Sequence, residues 1–398
     1  MFDMFAEAKE TTRSFGLNAE RVGVTRLLLT DFRNYHKARV AVGTGPVVLT
    51  GPNGAGKTNL LEALSFLSPG RGLRGARLSE IDRRTDPGSE AAAGGWAVAA
   101  VVETARGAVR VGTGRDPGTG ERRLVRIDGE LVRSQAALGE QFGVVWLTPS
   151  MDRLFLDGPS GRRRFLDRLV LGLDPVHASR VTTYERALRE RSRLLRDGVA
   201  DPVWLTALEE VMAEQGVAIA AGRRDAVQRL DQACAEAEGL FPRARLSLNG
   251  TVEGWLQEMP ALAAEAELIA TLAASRQEDG QTGLTAIGPH RSDLEVGLAE
   301  KGISAQFAST GEQKALLISI VLANAALQRA MRGEPPLLLL DEIAAHLDAD
   351  RREALFEALI RLESQAWLTG TDETLFAPLN PQAQFLSVRD GNLAATLC

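Results

Sequence analysis

Gly51-Pro52-Asn53-Gly54-Ala55-Gly56-Lys57-Thr58 is the stretch that decides the fold. It fits the pattern G-x-x-x-x-G-K-[ST] at every required position, and it joins an apolar strand pattern at residues 46–50 to a helical pattern at 59–67. Glycine lets backbone N–H groups approach phosphate oxygens closely, and the start of a helix adds positive potential there. We expect Lys57 to contact the β- and γ-phosphates and the Thr58 hydroxyl to bind Mg²⁺. The segment therefore predicts a nucleoside-triphosphate site.

The carboxylates of this site follow an apolar strand pattern far downstream, in Leu337-Leu338-Leu339-Leu340-Asp341-Glu342. An uninterrupted apolar run is typical of a buried parallel strand. We expect Asp341, at the carboxyl end of the strand, to hold the Mg²⁺ shell, and Glu342 to polarise or deprotonate the attacking water. The alternative for Glu342 is a strand-end acid that caps the following helix.

Ser309-Thr310-Gly311-Glu312-Gln313, which precedes an apolar helical pattern, supplies a third element. A serine hydroxyl and free N–H groups at the start of a helix can bind an anion, although the same residues also fit an N-cap with a capping box. Together with Asp348, which follows the two carboxylates, this segment resembles the signature motif and the D-loop of ABC-type ATPases. The resemblance implies an α/β ABC-type P-loop ATPase head that binds ATP, in which Ser309, Gly311 and Glu312 act in trans on ATP held by another subunit. One P-loop and one signature per chain then imply a homodimer that forms on ATP.

The remaining patterns divide the chain into a mixed α/β part and a helical part. Alternating runs at 96–103, 108–112 and 124–127 predict an antiparallel β-meander. Helical periodicity then dominates, with one helix predicted at 177–196 and one or two at 203–238. We therefore predict an ATPase domain of two lobes, built from both ends of the chain, with a short helical arm inserted between them. The predicted boundaries are a leader at 1–22, the ATPase domain at 23–150 with 241–398, and the arm at 151–240.

Composition excludes several classes of protein. Of the 398 residues, 44% are hydrophobic and 25% are charged, an ordinary globular mixture that excludes a mainly disordered or collagen-like chain. The chain has two cysteines, too few for a disulfide framework, and its longest apolar stretch, residues 315–327, is too short for a bilayer span of about 20 residues. The N-terminus lacks a signal-peptide pattern, so we expect a cytoplasmic protein with no membrane partner.

The net charge of −6 has the wrong sign for a simple basic DNA binder, but the charge is unevenly distributed. Residues 160–196 hold ten arginines and four acids, a segment charge of +6, which leaves −12 for the rest of the chain. Arginine clusters suit contacts with DNA phosphates. Arg186, Arg189 and Arg193, on one helix face, are predicted to contact DNA. Arg162 and Arg163 are predicted DNA contacts as well, with a salt-bridged helix face as the alternative.

Four further segments of the chain are distinctive. They are Leu29-Thr30-Asp31-Phe32-Arg33-Asn34-Tyr35, Thr58-Asn59-Leu60-Leu61-Glu62-Ala63, Thr148-Pro149 with Gly158-Pro159-Ser160-Gly161-Arg162-Arg163-Arg164-Phe165-Leu166-Asp167, and Ile287-Gly288-Pro289-His290-Arg291-Ser292-Asp293-Leu294. Together they give a finer resemblance, to the RecF family, over about residues 25 to 390. The resemblance implies a recombination and replication-repair protein that dimerises on ATP, binds single-stranded DNA gaps and single-strand/double-strand junctions, and hydrolyses ATP slowly in a DNA-dependent manner. It also implies support for RecA loading with RecO and RecR, for SOS induction and for replication-fork maintenance.

Two other functions stay open, the ATP-binding subunit of an ABC transporter and a structural chromosome tether of the SMC kind. The Gly-Pro-x-x-Arg-Arg segment argues against the transporter, and the short helical arm argues against the tether. Three further expectations concern single positions. They place His290 and Arg291 at the nucleotide pocket or the dimer seam, Thr369-Gly370-Thr371 where relatives have a γ-phosphate sensor, and Trp146, Trp204 and Trp255 in the core.

Overall fold

A computed structural model of the protein describes residues 21–83, 95–198 and 201–395, so residues 1–20 of the predicted leader lie outside the described part. The strands are β1 (Gly23–Phe32), β2 (Tyr35–Ala41), β3 (Val47–Thr50), β4 (Trp96–Thr104), β5 (Gly107–Arg115), β6 (Arg123–Ile127), β7 (Glu130–Leu131), β8 (Val144–Leu147), β9 (Ala244–Asn249), β10 (Asp293–Leu298), β11 (Ile303–Ser304), β12 (Leu337–Leu340), β13 (Ala366–Gly370), β14 (Gln384–Arg389) and β15 (Asn392–Ala395). The helices are α1 (Lys57–Ser65), α2 (Ala136–Gln141), α3 (Pro159–Leu173), α4 (His177–Arg196), α5 (Pro202–Glu236), α6 (Thr251–Glu258), α7 (Ala261–Ala274), α8 (Arg276–Thr282), α9 (Thr310–Arg332) and α10 (Ala349–Leu362).

The nucleotide motifs lie on a sheet with the strand order β15-β14-β3-β13-β12-β8. The pairs from β14 to β8 are parallel, and only β15 at the edge runs antiparallel to its neighbour. Every residue of β3 and of β12 is buried, which confirms the buried parallel strand predicted at residues 337–340. The carboxyl ends of β3, β13 and β12 therefore meet at one edge of the sheet, where α/β proteins bind ligands.

A second sheet, with the order β2-β1-β4-β5-β6-β7, is antiparallel throughout. It includes the three strands of the predicted meander, which is confirmed. Its buried face shares a hydrophobic core with α1. The ring centroid of Trp96 lies 5.4 Å from that of Phe32 and 4.9 Å from that of Phe66. The antiparallel sheet thus packs directly on the helix that begins at the P-loop.

The chain divides into two compact units. One contains the residues up to Met151, Glu238–Phe241 and the residues from Asn324 onwards, and the other contains Asp152–Ala237 and Pro242–Ala323. Residues 242–323 thus group with the helical segment and not with the rest of the ATPase domain predicted at residues 23–150 and 241–398. The physical reason is packing, since β9 and β10 lie in a small sheet ordered β11-β10-β9 and contact α5 and α3.

The second unit, Asp152–Ala237 with Pro242–Ala323, is called the helical unit below. It contains the elements predicted for the arm. The predicted helix at 177–196 is confirmed as α4, and the region predicted as one or two helices is the single helix α5. Asp201 caps α5 by accepting a hydrogen bond from the backbone N–H of Val203, and Pro202 occupies its first turn. The prediction that three tryptophans are core residues fails at Trp204, which is 44% exposed because it lies in the first turn of α5.

Helix α9 connects the signature segment to the residues before β12. Among the described residues it is the one helix with the length and apolar composition to cross a membrane, and 67% of its apolar window is buried inside the protein. Core helices of globular proteins have the same properties.

Candidate nucleotide-binding site

The P-loop lies between β3 and α1, and two glycines are required by its backbone. Gly51 has a φ of +143°, and a Cβ there would collide with the carbonyl oxygen of Val388. Gly56, the N-cap of α1, has a φ of +116°, a left-handed conformation that favours glycine. The loop therefore adopts a backbone conformation that residues with a side chain disfavour at positions 51 and 56. It leads directly into the N-terminus of α1.

Side chains of the segment at residues 29–35 form hydrogen bonds to the backbone of this loop. The Asn34 side-chain amide donates to the Ala55 carbonyl oxygen at 3.2 Å, and the Tyr35 hydroxyl donates to the Gly56 carbonyl oxygen at 3.0 Å. Arg33 donates two hydrogen bonds of 2.8 Å to the carboxylate of Glu62, a fully buried residue of α1. The resemblance named these residues without giving them a role, and the contacts show that they fix the P-loop and the helix behind it.

The side chain of Lys57 folds back so that its ammonium group contacts the loop backbone. Its Nζ donates to the carbonyl oxygens of Gly51 at 2.7 Å and Pro52 at 2.9 Å. Burial lowers the pKa of Lys57, while the nearby carboxylates of Glu342 and Asp341 act in the opposite direction. A cation is thus held inside the loop that is predicted to bind phosphates.

Two hydroxyl groups converge on the carboxylate of Asp341. Thr58 Oγ1 donates to Asp341 Oδ1 at 3.0 Å, and Thr369 Oγ1 donates to the same oxygen at 2.8 Å. Burial raises the pKa of Asp341, and the hydrogen bonds from Thr369 and Thr58 act against that rise. A threonine hydroxyl beside one carboxylate fits Mg²⁺, which proteins usually hold through one or two carboxylates together with water and substrate phosphates.

Glu342 follows in a strained backbone conformation. Its φ is +52°, an uncommon value for a residue with a side chain, and its N–H donates to Thr369 Oγ1 at 2.8 Å. The capping alternative for Glu342 is not supported, because α10 is capped by Asp348, which accepts a hydrogen bond of 2.8 Å from the backbone N–H of Arg351. The predicted D-loop residue Asp348 therefore has a clear structural role at the start of α10.

The signature segment begins α9 with the capping box that the sequence offered as an alternative. The Ser309 hydroxyl and backbone N–H donate to Glu312 Oε2 at 2.8 and 2.9 Å. Lys301 Nζ lies 2.7 Å from Glu312 Oε1, and hydrogen bonds from Lys301 and Ser309 lower the pKa of Glu312 to about 2. Ser309, Gly311 and Glu312 belong to the helical unit, and their action in trans stays a prediction.

Two of the arginines predicted to contact DNA are bonded to other residues of the protein. Arg162 makes two hydrogen bonds of 2.8 Å to the carboxylate of Asp293, and Arg163 donates to the Ser292 carbonyl oxygen at 2.7 Å. These contacts join the segment at 158–167 to the segment at 287–294, which favours the salt-bridged alternative.

Three arginines of α4 face solvent. Arg186, Arg189 and Arg193 are all exposed. The Arg189 guanidinium lies 3.4 Å from the Glu185 carboxylate, and the Arg193 guanidinium lies 2.6 Å from the Glu190 carboxylate. Arg186 has no ion-pair partner within the described residues. Exposed pairs of this kind contribute little to stability, so these guanidinium groups are available to an outside anion.

His290 and Arg291 bond within the helical unit. The Tyr184 hydroxyl lies 2.7 Å from His290 Nδ1, and His290 Nε2 lies 3.0 Å from the Thr285 carbonyl oxygen. Burial lowers the pKa of His290 to about 4, so the ring is neutral at pH 7. Arg291 also donates to Thr285, and these contacts give both residues a structural role.

Comparison with known proteins agrees with this geometry. The family model described as the RecF/RecN/SMC N terminal domain matches residues 23–391. A Mesorhizobium japonicum protein described as "DNA replication and repair protein RecF" is 48% identical over 376 residues, which cover 94% of this chain and 98% of that protein. A Rhizobium etli protein of the same description is 47% identical and covers 94% and 99% of the two chains.

Solved structures show the same fold. A structure described as the recombination mediator protein RecF-ATPrS in the RecFOR pathway has a TM-score of 0.81 at 22% identity, covering 95% of this chain and 99% of that chain. An Smc head domain from Pyrococcus furiosus has a TM-score of 0.53 at 17% identity, covering 94% and 96%. The fold is therefore that of an ABC-type ATPase head, and the sequence relatives show that this chain belongs to the RecF family.

Proposed function

We propose that the protein is an ATP-dependent DNA-binding protein of recombination and replication repair. The observation that carries the proposal is the convergence of Lys57, Thr58 and Asp341 at the carboxyl edge of the parallel sheet, in a chain whose relatives are described as DNA replication and repair proteins. Like the RecF structures described within the RecFOR pathway, it would act with RecO and RecR to support RecA loading in the cytoplasm. SOS induction and replication-fork maintenance belong to the same proposal.

In this proposal ATP acts as a switch for dimerisation. Lys57 and the P-loop backbone bind the β- and γ-phosphates, and Thr58 and Asp341 hold the metal. Bound Mg²⁺ neutralises phosphate charge and polarises the γ-phosphate. Glu342 orients or deprotonates the attacking water, and Ser309, Gly311 and Glu312 contact the γ-phosphate held by the second subunit. Two chains then share two ATP sites in a C₂ dimer, which turns over slowly.

DNA would bind through exposed arginines of the helical unit. Arg186, Arg189 and Arg193 recur on one face of α4, and contacts of this type fix a protein on DNA phosphates without reading the base sequence. Binding that does not depend on base sequence suits single-stranded gaps and single-strand/double-strand junctions, because a repair protein meets these structures in any sequence context.

Sedimentation velocity of the full-length protein with ATP and Mg²⁺ tests the proposal, together with binding to a fluorescent gapped duplex. We expect monomers without nucleotide, dimers with ATP, and tighter DNA binding by the dimers. Monomers that persist at saturating ATP would contradict the switch. DNA binding of equal strength in both states would instead favour a structural tether.

A further inference from the structure

We propose that Thr369 is a positioning residue whose single hydroxyl group holds both the proposed metal ligand, Asp341, and the proposed base, Glu342, in place. The inference rests on the proposed function, because it concerns the same ATP site. It differs from the expectation of a γ-phosphate sensor, since it assigns Thr369 to Asp341 and Glu342 and not to the nucleotide.

The hydroxyl of Thr369 has two defined partners. It donates to Asp341 Oδ1 at 2.8 Å and accepts from the backbone N–H of Glu342 at 2.8 Å. Thr369 is fully buried, at 0% exposure, on β13, which pairs with β12. A hydroxyl has one proton to donate, so this group is committed to the carboxylate and cannot also donate to a phosphate.

The contact to Glu342 stabilises an unfavourable backbone conformation. A residue with a side chain at a φ of +52° carries a conformational cost, and such residues persist only where their surroundings hold them in place. The left-handed turn sets the direction in which the Glu342 side chain leaves the end of β12. The hydroxyl of Thr369 therefore helps to fix where the proposed base points.

The contact to Asp341 orients the proposed metal ligand. Asp341 is buried, with its carboxylate also bonded to Thr58 of the P-loop helix. The carboxylate is thus held from two elements, α1 and β13. Groups that orient a metal ligand in this way typically change metal affinity or activity about 10- to 100-fold when they are removed.

The test compares Thr369→Val, which keeps the shape and β-branching but removes the hydroxyl, with Thr369→Ser, which keeps the hydroxyl. The first measurement is amide hydrogen exchange at Glu342 in protein free of nucleotide and metal. We expect exchange to be at least about tenfold faster in Thr369→Val, because the amide loses its acceptor, and close to the parent rate in Thr369→Ser.

The second measurement is steady-state ATP hydrolysis over a Mg²⁺ titration. We expect Thr369→Val to lower kcat and raise the half-saturating Mg²⁺ concentration, each about 10- to 100-fold, with Thr369→Ser restoring both to within about threefold of the parent. Thr104→Val is the matched control, because Thr104 is also buried and its hydroxyl donates to a carbonyl oxygen, that of Gly107, at the carboxyl end of β4. It should lose stability but leave the Glu342 amide and the Mg²⁺ dependence unchanged.

The proposal is overturned if Thr369→Val keeps parent-like exchange at Glu342, or if Thr369→Ser is as defective as Thr369→Val. The exchange measurement needs no nucleotide, so it decides the role of Thr369 even if the parent protein does not hydrolyse ATP. Absence of hydrolysis in the parent would count against the proposed function and not against the hydroxyl contacts.

Discussion

At the scale of single residues, the site depends on a few polar atoms that elements distant in sequence bring together. The P-loop could be read from the sequence because its chemistry is local, since glycine, lysine and threonine occur at fixed spacing in one turn. The contact between Thr369 and Asp341 could not, because the two residues are 28 positions apart and meet only when β12 and β13 pair. The same holds for Arg33 and Glu62, which no spacing rule connects.

Glu342→Gln tests the proposed base. We expect hydrolysis to fall by about 10²- to 10⁴-fold, the usual contribution of general base catalysis, because the amide cannot accept a proton. ATP-bound dimers should persist, since the variant keeps the shape of the site. Phosphate release and sedimentation with ATP measure the two properties, and a parent-like rate would show that Glu342 is not the base.

Lys57→Ala tests the nucleotide switch. The variant removes the cation that lies 2.7 Å from the Gly51 carbonyl oxygen inside the loop, so we expect ATP-dependent retention on DNA to disappear. Lys37→Ala is the control, because Lys37 is exposed on β2. Retention on immobilised gapped DNA is the measurement, and retention of the Lys57 variant at the parent level would refute the switch.

His290 predicts a pH dependence of stability. Its pKa is about 4 when folded, against 6.5 for an unperturbed histidine, so the unfolded chain binds more protons between these values. The stabilisation from the neutral ring is complete above pH 6.5 and is lost as the pH falls towards 4. Urea unfolding of the parent and His290→Gln should show a difference in stability that shrinks over this range. A difference that stays constant would mean that His290 does not titrate differently on folding.

At the scale of elements, periodicity predicted the types of the main strands and helices, and tertiary packing decided how they group. The meander and α4 were predictable because their patterns are regular over many residues. The grouping of residues 242–323 with the helical unit was not, because it depends on the packing of β9 and β10 against α5 and α3. Trp204 is exposed for a similar reason, since a helix start at Pro202 puts the indole at an element end.

The exposed face of α4 makes a prediction at this scale. Replacing Arg186, Arg189 and Arg193 together by Gln should weaken DNA binding uniformly across sequences and reduce the slope of log affinity against log salt by about one per lost phosphate contact. Arg245→Gln is a control, because Arg245 lies on β9 with a side chain 68% exposed. Fluorescence anisotropy over a salt series measures the slope. An unchanged slope would place the DNA contacts elsewhere.

At the scale of the whole molecule, the net charge of −6 conceals an uneven distribution. A +6 segment at residues 160–196 is part of a chain that is otherwise acidic, but the structure shows that several of its arginines serve the fold. Arg191 is fully buried and pairs with Glu209 at 2.9 Å and Asp279 at 2.6 Å, and Arg162 pairs with Asp293. Fewer positive charges than the segment charge of +6 suggests are therefore available to DNA.

In the proposed function, ATP controls DNA binding by this ATPase head. The most direct measurement is the affinity of the full-length protein for a gapped duplex, with ATP and without nucleotide, over a salt series. We expect tight binding with ATP only, with log affinity falling linearly as log salt rises. Binding that is equal without nucleotide, or that does not respond to salt, would contradict it.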